Sequence, residues 1–189
     1  MTGTEASMVI WAEELLGYDK LIVGTGAVPV RPPIAGLAGP AALGPDDGVH
    51  LLHSMGDTFA VMRTLEEAAP ASAVIVGAGY IGLEMADALT VRGLNVTQME
   101  QLPEVLPTVD PGLGALVHAE LAARGVEVLT GTTVQAISTA PPGGPGQLQV
   151  IAAAADGTAV TRPADMVLVV VGVRPETALA ADAGGTPPS

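Results

Sequence analysis

Gly77-Ala78-Gly79-Tyr80-Ile81-Gly82 lies between an apolar run, Ala73-Val74-Ile75-Val76, and a segment of helical spacing. A three-glycine loop that leaves a strand and opens a helix restricts a chain to a βαβ unit, because each glycine has a physical task. The first permits a tight turn, the second lets an anionic group approach the backbone, and the third lets the helix pack close to the strand. The helix N-terminus then offers unpaired N–H groups and a partial positive charge. Asn95-Val96-Thr97-Gln98-Met99-Glu100 reads as the next strand, ending in a carboxylate. In that place Glu100 would accept from a ribose 2′-OH and repel a 2′-phosphate, and no Arg or Lys follows until Arg124. The pattern predicts a dinucleotide site that takes NAD(H) rather than NADP(H).

Further signals extend the unit in both directions. Ser54 followed by Asp57 is close to a capping box and predicts a helix through Phe59, Met62 and Leu65 that stops by Pro70. The helix after the glycine loop runs from about Ile81 to Arg92, with Gly93 beyond its end. Asp110-Pro111 starts another, with an apolar stripe of Leu113, Leu116, Val117 and Leu121 and a stop at Gly125. Val126–Leu129 reads as a third strand. The period then changes: Thr133–Ser138, Gln147–Ala153 and Ala159–Arg162 read as short strands joined by turns, the Pro141–Gly146 turn being mobile. Met166–Val171 reads as a fully apolar strand and Leu21-Ile22-Val23 as a short buried one. Residues 29–48, with Pro29, Pro32, Pro33, Pro40 and Pro45, read as a stiff extended linker. Residues 1–20 carry little pattern, and 184–189 read as a frayed end.

Hydrophobic residues make up 49% of the 189, enough for a sizeable core. Trp11, Tyr18, Phe59 and Tyr80 are the only aromatic side chains, so Ala, Val, Leu and Ile must build it, which suits helix–sheet layers. The formal net charge of -13 argues against a nucleic acid partner. One dinucleotide is still acceptable, because backbone N–H groups can hold its phosphates. The sequence has no cysteine, hence no disulfide, thiolate metal site or thiol nucleophile. His50, His53 and His118 are scattered, and no metal is expected. No apolar stretch reaches the roughly 20 residues of a membrane helix, and no leader is visible, so no membrane and a cytoplasmic location are expected.

Two segments echo each other. Asp19, Gly26 and Pro29 align with Asp165, Gly172 and Pro175, each set enclosing an apolar run. Two similar strand ends would suit two related nucleotide-binding folds, although apolar strand plus Gly-x-x-Pro is also a common pattern.

Three motifs in order carry a family resemblance: Tyr18–Pro29, Val76–Glu84 and Val171-Gly172-Val173-Arg174-Pro175. The chain resembles the pyridine nucleotide–disulfide oxidoreductase superfamily of FAD- and NAD(P)-dependent enzymes from about Tyr18 to Gly184. Leu52-His53-Ser54-Met55 and Leu106–Pro111 look most like its coenzyme A-disulfide reductase and NADH oxidase branch, with ferredoxin and rubredoxin reductases close behind. The resemblance implies an α/β fold: a Rossmann-like three-layer βαβ dinucleotide-binding domain with a β-meander crossover, plus partial FAD-domain segments. It implies an FAD-domain stub and linker over residues 1–48, the NAD(H) domain over 49–171, and the returning FAD segment over 172–189.

The implied roles follow the motifs. Gly77, Gly79, Tyr80, Ile81, Gly82, Glu84, Glu100, Gly172 and Val173 would hold NAD(H), with Tyr80 as a gate near the nicotinamide. Thr25, Gly26 and Ala27 would touch FAD. The family's redox cysteine has no counterpart, so no catalytic residue is expected here. The family's FAD glycine loop and dimerisation domain also lack counterparts, so the expected partners are those missing parts of a parent flavoenzyme. A freestanding NAD(H)-binding module and an inactive fragment remain alternatives. The electron acceptor is open.

Overall fold

The computed structural model describes residues 8–11 and 14–184, with side-chain surroundings from Gly17 onward. The expected frayed end beyond Gly184 lies outside the described residues. The chain divides into two units, residues 28–174 and, together, residues 1–27 with 175–189. Strands and helices are numbered in chain order.

In the smaller unit, β1 (Met8–Trp11) pairs antiparallel with β2 (Glu14–Gly17), Met8 opposite Gly17. Leu21-Ile22-Val23 does not form the expected buried strand. It has no strand partner among the described residues, and its side chains are exposed, Ile22 by 93%. An apolar run becomes a strand only where neighbours take its backbone groups. The stretch that follows is tied instead to Glu176, whose N–H donates to the Gly26 carbonyl at 2.9 Å and whose carbonyl accepts from the Thr25 hydroxyl. A short helix, Ala178–Asp182, follows.

The remaining elements are β3 (Ala27–Pro29), β4 (Val49–Leu51), α1 (Met55–Glu67), β5 (Ser72–Val76), α2 (Tyr80–Val91), β6 (Asn95–Met99), α3 (Pro111–Ala123), β7 (Glu127–Leu129), β8 (Thr132–Thr139), β9 (Leu148–Ala154), β10 (Ala159–Ala164), β11 (Met166–Val169) and β12 (Val173–Pro175), of which only Ala27 and Pro175 fall outside the larger unit. Five strands form a parallel sheet in the order β4-β11-β5-β6-β7. Because strand side chains alternate, β5 serves two layers. Ala73 and Ile75 pack with Val61, Ala86, Leu89 and Leu121 of the helices. Val74 and Val76 pack with Ile137, Leu148 and Val150 of the antiparallel β8–β9–β10 meander. The α/β three-layer, Rossmann-like architecture with a meander crossover is therefore present.

Helix ends follow local chemistry. The Ser54 hydroxyl accepts from the Asp57 N–H at 3.2 Å, and the Asp57 carboxylate accepts from the Ser54 N–H at 2.7 Å, a complete capping box. The Asp110 carboxylate caps α3 through the Gly112 N–H at 2.9 Å, ahead of Pro111. The α3 stripe differs from the expected one: Leu113 and Leu116 are exposed, while Gly114 and Leu121 are buried and Val117 half-buried. A Cβ on Gly114 would stand 2.7 Å from the Val105 carbonyl oxygen, so this glycine turns inward and sets the helix rotation.

The Pro/Gly-rich stretch is not simply an extended linker. Ile34 and Leu37 are buried in the meander-side core, and Ala35 bridges to Ala136 of β8. A Cβ on Gly36 would lie 2.0 Å from the Ile137 carbonyl oxygen, so only glycine permits this approach. Strand β11 ends at Val169 rather than Val171, because its ladder partners in β4 and β5 end at Leu51 and Val76.

Asp165, just before β11, accepts from the N–H groups of Ala71 and Ser72 and from the Ser72 hydroxyl, at 2.9–3.0 Å. Asp165→Ala leaves three donors without that acceptor, and the expected loss of stability in urea denaturation is about 2 kcal/mol. His50 on β4 is 1% exposed, with Nε2 paired at 3.0 Å to the Thr64 hydroxyl. Burial, and next the Arg63 charge, hold its pKa below the usual histidine value, against a smaller opposing pull from Asp57. The unfolded chain therefore binds more protons as pH falls through about 6.5, so this contribution to stability is present above that pH and lost below it. The urea midpoint should fall between about pH 7 and pH 5.5, and fall less steeply in His50→Asn.

Candidate functional site

From β5 the chain passes through α2 to β6 on one side, whereas the strand on the other side, β11, arrives only after the meander. The connections that reach β6 and β11 run in opposite senses, and a crevice opens beyond the carboxyl ends of β5 and β11. A cavity of about 880 Å³ occupies it. Its walls are the β5–α2 loop (Gly77, Gly79, Tyr80, Ile81), the end of β6 and its turn (Glu100, Gln101, Leu102, Pro107), the start of β8 (Thr132 to Gln135), the end of β11 (Val170, Val171, Gly172) and residues 30–34. A cavity of this size, mostly apolar with a few polar groups, suits a small organic ligand.

The glycine loop is shaped by two close approaches and one open space. Gly77 has φ +105°, and a Cβ there would meet the Val170 carbonyl oxygen at 2.7 Å. A Cβ on Gly82 would lie 2.2 Å from the Gly77 carbonyl oxygen. Gly79 differs: a Cβ there would meet nothing within 4 Å. Gly79 is also the N-cap of α2, which has no side-chain cap, so the first N–H groups of the helix lack intrahelical acceptors beside the cavity. An uncapped helix start next to open space is suited to a bound anion.

Glu100 is 7% exposed, and each carboxylate oxygen accepts a backbone N–H: Ala78 on one at 2.8 Å, Leu102 on the other at 2.9 Å. A carboxylate has about four lone-pair positions, so capacity remains toward the cavity. The 101–110 turn is bound to the loop from above, Leu106 N–H donating to the Ala78 carbonyl at 2.9 Å. Leu106 sits at φ +48°, a left-handed conformation that costs a leucine roughly 1–2 kcal/mol. The turn is tied to α3 by Glu104, whose carboxylate meets His118 Nδ1 at 2.9 Å. Burial would raise the Glu104 pKa, but the Val105 N–H and His118 outweigh it and hold the carboxyl below its usual range.

The structure gathers Gly77, Gly79, Tyr80, Ile81, Glu100 and Gly172 on the cavity, with Gly82 directly behind the loop. Glu84 is exposed further along α2 and Val173 is 52% exposed, neither on the cavity wall. Thr25, Gly26 and Ala27 lie at the end of the smaller unit's first segment. Sequence reasoning missed the wall formed by residues 30–34 and by β8. A β-bulge between Val134 and Ala136 leaves Gln135 out of register, on the cavity wall. Among the described residues on the wall, only Arg31 and Glu100 are charged. Among the described residues, no three His, Asp or Glu side chains gather as metal ligands, and no helix is long and apolar enough to cross a membrane.

Residues 4–187 match the family model of the pyridine nucleotide-disulphide oxidoreductases. An NADH oxidase of Methanocaldococcus jannaschii is 36% identical over 170 residues, which are 89% of this chain and 34% of that protein. The ferredoxin–NAD(+) reductase component of the Paraburkholderia xenovorans biphenyl dioxygenase system is 35% identical, over 89% of this chain and 38% of that protein. Among solved structures, an NAD-dependent persulfide reductase from A. fulgidus superposes with a TM-score of 0.74 at 32% identity, over 94% of this chain and 30% of that one. The chain thus spans about a third of the length of these relatives. With the glycine loop, the switch-point cavity and a match along nearly its whole length, the chain belongs to the pyridine nucleotide-disulphide oxidoreductase family.

Proposed function

We propose that the cavity holds NAD(H), and that the chain is the NAD(H)-binding portion of an FAD-dependent oxidoreductase. The observation that carries this reading is the open space at Gly79, beside the uncapped start of α2 and in the switch-point cavity. The pyrophosphate would lie there, held by backbone N–H groups. Glu100, already fixed by two N–H groups, would use its remaining lone pairs on the adenosine ribose and repel a 2′-phosphate. Tyr80, 65% exposed at the cavity, would cover the nicotinamide end, with Ile81 and Gly172 on the wall and Val173 and Glu84, off the wall, flanking that side.

When bound, a reduced nicotinamide supplies a hydride that a flavin accepts and passes to an acceptor. The protein's contribution is distance and orientation. Thr25, Gly26 and Ala27 are the residues proposed to touch FAD. The remaining FAD-binding and dimerisation parts would come from a parent enzyme, a reading supported by the chain's share of its relatives' length. A cytoplasmic setting fits this role. The alternative is a freestanding NAD(H)-binding module. It is favoured by one observation, that every residue on the cavity wall lies within 28–174. Visible flavin absorbance in the purified chain separates the two.

Calorimetric titration of the chain is expected to show saturable NADH binding at least about tenfold tighter than NADPH, the scale of one unfavourable charge contact. Equal affinities would remove Glu100 from the selectivity, and no binding of either would sink the proposal. Gly79→Val is expected to abolish NADH binding with the thermal midpoint unchanged, since the side chain enters open space at an ordinary φ of -78°. Retained affinity in that variant would place the nucleotide elsewhere.

A further inference from the structure

The Gly77 carbonyl and the Ala78 N–H are the two polar ends of a single peptide group. Gln98 Nε2 donates to that carbonyl at 3.2 Å, and Glu100 Oε2 accepts from that N–H at 2.8 Å. Gln98 and Glu100 are two residues apart at the end of β6, so they share one side of the strand. Their side chains grip the peptide from opposite ends. The main chain completes the hold: Gly77 N–H donates to the Met99 carbonyl at 2.8 Å, and Ala78 accepts from Leu106. Every backbone polar group of Gly77 and Ala78 is thus engaged by the protein. The unpaired donors of α2 follow in the next residues.

Gln98 is otherwise poorly explained. It is fully buried, and its Oε1 has no partner. An amide buried with half its bonding unmet is costly, and an apolar side chain would suit this core better. Room for the amide is provided by Gly82, since a Cβ there would lie 2.9 Å from Gln98 Nε2.

We infer that Gln98 is a positioning residue of the dinucleotide site. With Glu100 it fixes the plane of the Gly77–Ala78 peptide, and so aims the N–H groups that follow at the ligand's pyrophosphate. This inference rests on the NAD(H) reading of the cavity. It also gives Glu100 a second task, as the other jaw of the clamp.

The test is Gln98→Met in the full chain, a substitution of similar length that cannot donate. Amide hydrogen exchange in the free protein and NADH titration are both read. Exchange at residues 78–81 is expected to quicken about tenfold, and NADH affinity to fall about tenfold, with the unfolding midpoint unchanged or raised. A lowered midpoint with unchanged exchange at the loop and unchanged affinity would mean that Gln98 only packs, and would overturn the clamp. If the wild-type chain binds no NADH, the nucleotide reading fails, while the exchange comparison still decides the clamp. If Gln98→Met does not fold, Gln98→Glu decides instead. Its side chain donates only when protonated, so its NADH affinity relative to wild type should rise as pH is lowered; a ratio independent of pH would overturn the inference.

Discussion

From Ala73 to Val76, strand β5 has no side that faces water. Helices cover one face and the meander the other, so this stretch holds only apolar side chains and gives its backbone groups to β11 and β6. That requirement determines where the cavity can form. The first place the chain can leave the buried sheet with donors to spare is beyond Val76, where the glycine loop begins. Because β6 and β11 are reached by connections running opposite ways, nothing of the sheet's own helices fills the space above that exit. The loop, the uncapped start of α2 and the acid at the end of β6 all answer to the burial of this strand.

Much of this was legible in the residues. Ala73–Val76, the glycine spacing and Glu100 announce the βαβ unit, because tight turns and buried strands admit few residue types. Ser54 with Asp57, and Asp110 with Pro111, mark helix starts through bonds that span only three residues or fewer. Local chemistry of that kind can be read from a string. What could not be read was long-range. Leu21-Ile22-Val23 and Met166–Val169 look alike, yet only the second has strands on both sides. Leu113 and Leu116 fit a helical stripe, but Gly114 sets the rotation of α3 through its approach to Val105. Ile34 and Leu37 are apolar residues in a proline-rich setting, and nothing local indicates that β8 receives them.

The electrostatics of the cavity run against those of the chain. A formal charge of -13 sets an overall repulsion toward anions, and the described wall carries one cation, Arg31, and one anion, Glu100. A phosphate held here, as proposed, would rely on backbone dipoles, which act at short range and are little affected by distant carboxylates behind a Debye length of about 8 Å at physiological salt. Two other backbone N–H groups, those of Ala78 and Leu102, are aimed at Glu100 itself, so its charge has partners within the fold.

The seating of residues 30–37 on β8 bears on where this fold can be divided. A fragment beginning at β4 would keep the five-stranded sheet, the glycine loop and Glu100. It would lose Ile34 and Leu37 from the core, expose the bulged edge at Gln135, and leave the cavity open along one side. The compact unit accordingly starts at Val28, and a proline-rich segment with the look of a tether belongs to the folded body it precedes.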